Sequence, residues 1–179
     1  MNNTKKLTVS AITVALSVVL MILGAVFEPL DLAVACIASV LVAFVYIEIG
    51  SPYTWLVWLC TSLLSALVYS ASLMWIFYLF VFGAYPMVKG YVERLPRALW
   101  LPLKLLFAAA TYTILYLTVS FVLGVELVSG EFFGLPTWVV YLLTALLALI
   151  AFVAYDVFLT AGIRLYLRRL RPKIKNLLK

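Results

Sequence analysis

Two carboxylates lie at the margins of long apolar runs in this 179-residue chain: Glu48 closes the second run and Asp156 stands near the end of the sixth. An ionisable residue in such a run is a functional candidate by default, with its partner to be named. Lys89, Arg94, Lys104 and Arg164 are the available partners, so the leading expectation is a structural clamp and the alternative a part in partner docking. No charged residue is placed at the centre of a run, which leaves no relay for protons or ions through the middle. The chain contains no histidine, which removes Ser-His hydrolysis, His-metal sites and His proton relays. With no mid-span lysine either, serine and threonine hydroxyls lack a base to activate them. Cys36 and Cys60 both fall inside apolar runs and read as small packing residues. No enzymatic activity, metal or cofactor is therefore expected.

Binding chemistry is better represented. Tyr69 ends the third run, Ser72, Trp75 and Tyr78 open the fourth, and Trp138 and Tyr141 open the sixth. Glu28, Asp31, Glu126, Glu131, Phe132 and Phe133 occupy the connections at that same end. Aromatic walls with a few placed polar groups are what a small-molecule pocket needs. An aromatic belt with solvated carboxylates would use the same residues. The acidic rim favours a neutral or cationic ligand. In the connection 124–137, Phe132 and Phe133 stand among Gly130, Gly134 and Pro136, apolar residues where a loop should be polar. They are expected either to anchor at the membrane surface or to belong to a loop that folds over the bundle as a lid.

The elements that would position these residues are legible in the composition. The chain is 67% hydrophobic and 11% charged, with a mean hydropathy of +1.19, which excludes a soluble globular class. Apolar runs predict six membrane-spanning helices at 7–27, 32–47, 53–69, 73–88, 101–123 and 138–159, in one domain covering 1–179. The runs do not alternate with period two, so a β-barrel is not expected. The second run is short and is expected to tilt little or to be partly irregular. The first run is too long for a signal-peptide core and is read as retained. Lys5, Lys6, Lys89, Arg94, Arg97, Lys104 and the basic tail 162–179 fall on one side of this topology, and the opposite loops carry only carboxylates. The positive-inside rule then puts both termini in the cytoplasm. The net charge of +6 is thereby a topology signal, and no nucleic-acid partner is expected; the basic tail suits anionic membrane lipid. Pro96 and Pro102 interrupt the loop 89–104, where Tyr91, Leu95, Leu99 and Trp100 predict a short interfacial helix.

The first run has two distinct small-residue faces. Ala11 and Ala15 stand four apart, a spacing that lets a second helix approach closely. Ser10, Thr13, Ser17 and Gly24 form another stripe about 150° away. One face suits the bundle and the other suits something outside it.

With the basic start Lys5-Lys6 and this Ala-xxx-Ala pair, about 180 residues, six spans and both ends inside, the chain resembles the substrate-binding membrane subunits (S components) of energy-coupling factor (ECF) transporters. The resemblance implies that Ala11 and Ala15 dock to the coupling helices of a shared transmembrane subunit that works with ATPases. It also implies that a vitamin-like small molecule binds at the external side of a bacterial plasma membrane. The connections 28–31, 70–72 and 124–137 would then lie over the substrate. The chain carries no Gly-rich Lys-Ser/Thr loop of its own, so ATP hydrolysis would belong to the partners. A rival of another class is a rod-shape-determining, MreD-like membrane scaffold, which would use the basic loop and tail to bind proteins and would fill the external pocket with side chains. A lipid-binding membrane protein is a third possibility.

Overall fold

The computed structural model of the protein describes residues 2–70, 72–122 and 136–172. These residues contain no strand and form six helices long and apolar enough to cross a membrane: α1 (Asn3–Val26), α2 (Asp31–Glu48), α3 (Ser51–Val68), α4 (Met74–Val92), α5 (Arg97–Phe121) and α6 (Trp138–Arg169). The expected all-helical, six-span architecture is therefore present.

Helix α2 is the hub. Ala35, Ala38, Ser39, Val42 and Val45 along it have no exposed surface, and it packs against α1, α3, α4 and α6. Its small side chains bring neighbouring backbones close, which is how helices gain packing energy in a medium as apolar as themselves. Of the two expectations for the short second run, little tilt or partial irregularity, the second is not met: α2 is an unbroken α-helix of 18 residues. Glycines mark four close approaches: Gly24 of α1 lies against Asp31, Gly83 and Gly90 of α4 against the Trp58 and Tyr46 rings, and Gly162 of α6 against Val40.

The tight α2–α3 link reads as its sequence suggests. Gly50 has a φ of 105°, a left-handed conformation that a side chain would strain. Pro52 follows in the first turn of α3, where its missing N–H is no loss. Helix α4 contains a π-helical turn at Tyr78–Phe82, with further π turns at Thr118–Val122 at the end of α5 and Tyr166–Leu170 near the end of α6. Such turns disturb the regular backbone ladder and recur where side chains need re-aiming.

The helix ends differ from the hydropathy boundaries at one pole of the bundle. Lys89, expected in a loop, lies inside α4, and Lys104 lies inside α5. Helix α6 runs on past 159 to Arg169. Hydropathy falls where charge begins, whereas backbone hydrogen bonding continues so long as the charges find partners, as these do. The separate interfacial helix expected around Tyr91–Trp100 does not form. Tyr91 belongs to α4, Pro96 precedes a single 3-10 turn at Arg97–Leu99, and Pro102 sits in the first turn that follows. A proline is tolerated there because the first-turn N–H groups have no intrahelical acceptor.

Burial is uneven. Half of the apolar stretch of α4 is buried, against 11% in α5 and in α6. The last two helices therefore form an open flank of the bundle, joined to each other by few contacts.

Candidate functional site

The residues expected to build one external pocket separate into two places. In the first, Tyr69, Ser72 and Trp75 meet Met21, Ile22, Ala25, Ser65 and Met74 in a cleft between α1, α3 and the start of α4. The cleft holds about 10 Å3, room for about one water. Ser72 is occupied locally, its Oγ accepting the Met74 N–H at 3.1 Å as the chain turns into α4. Tyr78 lies one turn further on and is fully buried in the core cluster with Val57, Phe82 and Tyr85, rather than lining the cleft. The packing of this part of α4 against α2 and α3 puts Tyr78 in the core.

Asp31 opens α2 with its carboxylate against Gly24, where a Cβ would stand 2.9 Å from one of its oxygens. An acidic residue in a first helical turn also faces the positive end of the helix dipole. Asp31 thus takes part in the α1–α2 joint. Glu28 belongs to a 3-10 turn ahead of it, and its side chain lies outside the described residues, as do Glu126, Glu131, Phe132, Phe133 and the connection proposed as a lid.

The second place is a groove of about 420 Å3 between α5 and α6, lined by Tyr112, Thr113, Tyr116, Trp138, Tyr141, Leu142 and Ala145. Trp138 and Tyr141 were expected at a binding site; Tyr112, Thr113 and Tyr116 were not. The Tyr112 and Tyr116 spacing was a usable signal, because residues four apart share a helix face. The groove volume falls in the range of small-molecule pockets, roughly 300–1,000 Å3. Its hydroxyls are arranged in pairs. Tyr112 Oη lies 3.1 Å from Thr144 Oγ1, and Tyr116 Oη lies 3.1 Å from Tyr141 Oη. The Tyr116 and Tyr141 rings meet edge to face at 5.8 Å, a favoured arrangement of ring quadrupoles.

The opposite pole holds a charge cluster. Lys89, with its side chain 3% exposed, is ion-paired to Asp156, lies 3.1 Å from Glu93, and donates to Thr160 Oγ1 at 2.8 Å. Lys104 donates to the other Asp156 oxygen at 2.8 Å, and the Tyr85 hydroxyl donates to Asp156 at 2.6 Å. Three helices are tied here through one carboxylate. Asp156 therefore forms the clamp expected of it, with Lys89 and Lys104 as its partners. Glu48 accepts from the Tyr166 hydroxyl at 3.0 Å and pairs with Arg171 at 2.8 Å, closing α2 onto the end of α6. A ring cluster of Tyr85, Phe107, Phe152 and Tyr155 lies inward of the charges. There Tyr155 reaches Ser39 Oγ at 2.8 Å and the Phe82 carbonyl at 3.0 Å.

On α1, Ser10, Thr13, Ser17, Met21 and Gly24 are buried, whereas Ala11 and Ala15 are exposed on the other face. Among the described residues no group of three His, Cys, Asp or Glu is placed to hold a metal ion. Comparison with family models, with curated proteins and with solved structures finds no match for this chain.

Proposed function

We propose that this chain is the substrate-capture membrane subunit of an ECF-type, ATP-driven importer. It takes a small molecule at the end where α5 and α6 are connected, with both termini in the cytoplasm of a bacterial cell, and docks to a separate transmembrane subunit and its ATPases through α1. The observation that carries the reading is the groove between α5 and α6. It combines aromatic faces with paired hydroxyls at the pole opposite the basic residues. The outward position of Ala11 and Ala15 supports the docking half, since a smooth helix face admits another helix closely. Catalysis forms no part of the proposal.

One observation favours the scaffold reading instead: the cleft beneath the α1 and α3 ends is filled by Met21, Met74 and Trp75. A protein that bound only other proteins would need neither cleft nor groove. Native mass spectrometry of the gently purified chain, co-expressed with an ECF module, separates the two. The importer reading expects a defined small-molecule adduct and a one-to-one complex with the module. An empty chain that ignores the module would sink it and turn attention to partners of the basic face. A retained phospholipid as the sole adduct, without the module, would identify a lipid-binding protein.

A further inference from the structure

The lining of the α5–α6 groove specifies more than its size. This step rests on reading the groove as the capture site. We infer that its ligand is an uncharged molecule with a flat ring body and one or two carbonyl or hydroxyl groups, admitted sideways from the bilayer.

Charge is the first argument. Among the described residues, no charged side chain lines the groove. On α5 the next charged side chain is Lys104, eight residues and about 12 Å of helix below Tyr112. On α6 it is Asp156, eleven residues and about 16 Å beyond Ala145. Both are engaged with each other. Among the described residues no counter-charge is in reach of an ionic ligand, which would lose its hydration at a cost that is high in a low-dielectric site.

Shape and polarity are the second. Three tyrosine rings and an indole offer π faces and edges to a planar body. Besides the Trp138 indole N–H and the Thr113 hydroxyl, which donates to the Ala109 carbonyl, the polar side-chain atoms form two hydroxyl pairs, one at Tyr112 and one at Tyr116. Thr144 Oγ1 is also within reach of the Val140 and Tyr141 carbonyls, at 3.1 and 3.0 Å. Either hydroxyl of the Tyr112–Thr144 pair can be the donor, so the pair can meet a ligand carbonyl with an O–H or a ligand hydroxyl with a lone pair. The two pairs lie one helical turn apart, about 6 Å along α5, close to the span of a single ring with a polar atom at each end.

The route is the third. Trp138 and Leu142 at the groove edge are 66% and 62% exposed, and Phe121 on the α5 flank is 82% exposed. These apolar surfaces face acyl chains in a bilayer, so the mouth lies open to the hydrocarbon and a bilayer-partitioned molecule reaches it without crossing water.

The test uses the full chain in phosphatidylcholine nanodiscs and a matched pair of probes. These are 2-methyl-1,4-naphthoquinone and the sulfonated 1,4-naphthoquinone-2-sulfonate. Tryptophan quenching is titrated for the parent chain, Trp138→Phe and the groove-filling Ala145→Phe, with partitioning into empty nanodiscs subtracted. The expected result is a saturable component with the neutral quinone. It should be at least about tenfold weaker with the sulfonate, lost in Ala145→Phe, and reduced in Trp138→Phe. Equally tight sulfonate binding that Ala145→Phe removes would overturn the ligand class and leave capture at the groove standing. Non-saturating quenching identical in the parent chain and Ala145→Phe would overturn the inference, and capture itself would then be decided by the adduct and the one-to-one complex. Thermal melting of each variant shows that a lost component is not a lost fold.

Discussion

At the scale of single residues, Asp156 carries the largest predicted effect. It is shared by Lys89, Lys104 and the Tyr85 hydroxyl, so removing it leaves two ammonium groups near each other with only Glu93 between them. Breaking a buried pair by deleting one partner costs roughly 3–5 kcal/mol, because the other charge stays buried without compensation. Asp156→Ala should therefore lower the melting temperature in detergent sharply, read by the loss of the monodisperse peak after heating. The double change Lys89→Met with Asp156→Leu should recover much of that loss, since apolar replacements of similar volume are often no worse than the pair. A double variant as unstable as the single would argue that Lys104 and Glu93, not Lys89, set the balance. A clamp between Asp156 and a basic residue of this end was the leading expectation from sequence, with partner docking as the alternative. It did not show that Lys89 would be held inside α4, because the apolar run ends at Val88, one residue before it. Tyr78 escaped for a different reason. Its type suited a pocket wall, but the packing of α4 against α2 and α3 puts it in the core.

At the scale of elements, the joints between helices are set by small residues facing large rings. Trp58 of α3 donates its indole N–H to the Leu79 carbonyl at 2.9 Å, inside the π-helical stretch of α4, and its ring occupies the space beside Gly83. A methyl group at position 83 would collide with that ring. Gly83→Ala should therefore expel Trp58 and break the bond to Leu79, at about 1–3 kcal/mol for the overpacking. The readout is a lower melting temperature together with a shift in tryptophan emission. Adding Trp58→Leu should restore part of the stability by vacating the space, and a fully stable Gly83→Ala protein would place the α3–α4 joint elsewhere. The existence of all six helices was plain from their apolar length, and so were the two faces of α1, because Ser10, Thr13 and Ser17 recur with the helical period and turn inward together. The groove was only half visible. Trp138 and Tyr141 announced themselves at the start of α6, but the gap beside Tyr112 and Tyr116 is a distance between helix axes. No run of residues encodes that distance locally. Tyr69, Ser72 and Trp75 share one small cleft, which Met21 and Met74 also line, long side chains whose rotamers decide whether space remains.

At the scale of the whole molecule, the importer proposal gives the two poles and two flanks of the bundle different jobs. The basic pole is knitted internally: Glu48, Glu93 and Asp156 are all engaged by Lys, Arg or Tyr side chains. In the proposed orientation this pole faces the cytoplasm. The orientation is checked in a variant lacking Cys36 and Cys60, with single cysteines at Glu28 and at Arg97. A membrane-impermeant maleimide added to intact cells should label position 28 and spare position 97 until the cells are opened. The two flanks are the outer face of α1 and the α5–α6 groove, and the importer proposal gives them separable roles. Ala11 and Ala15 lie on the exposed face of α1, away from the buried Ser10, Thr13 and Ser17. Leucine at either position adds bulk where nothing in the bundle has to move, so folding should be unaffected. A partner helix, however, would be held off by the longer side chain, and close approach is what small-residue interfaces depend on. Ala11→Leu with Ala15→Leu should therefore abolish co-purification with the module while leaving melting temperature and groove binding within error of the parent chain. Ala145→Phe should do the reverse, keeping the module and losing the ligand. If both variants lose both properties together, the flanks are not independent and the division of labour is wrong. If the leucine variant still recruits the module, docking runs through another surface, and the basic pole is the next place to mutate.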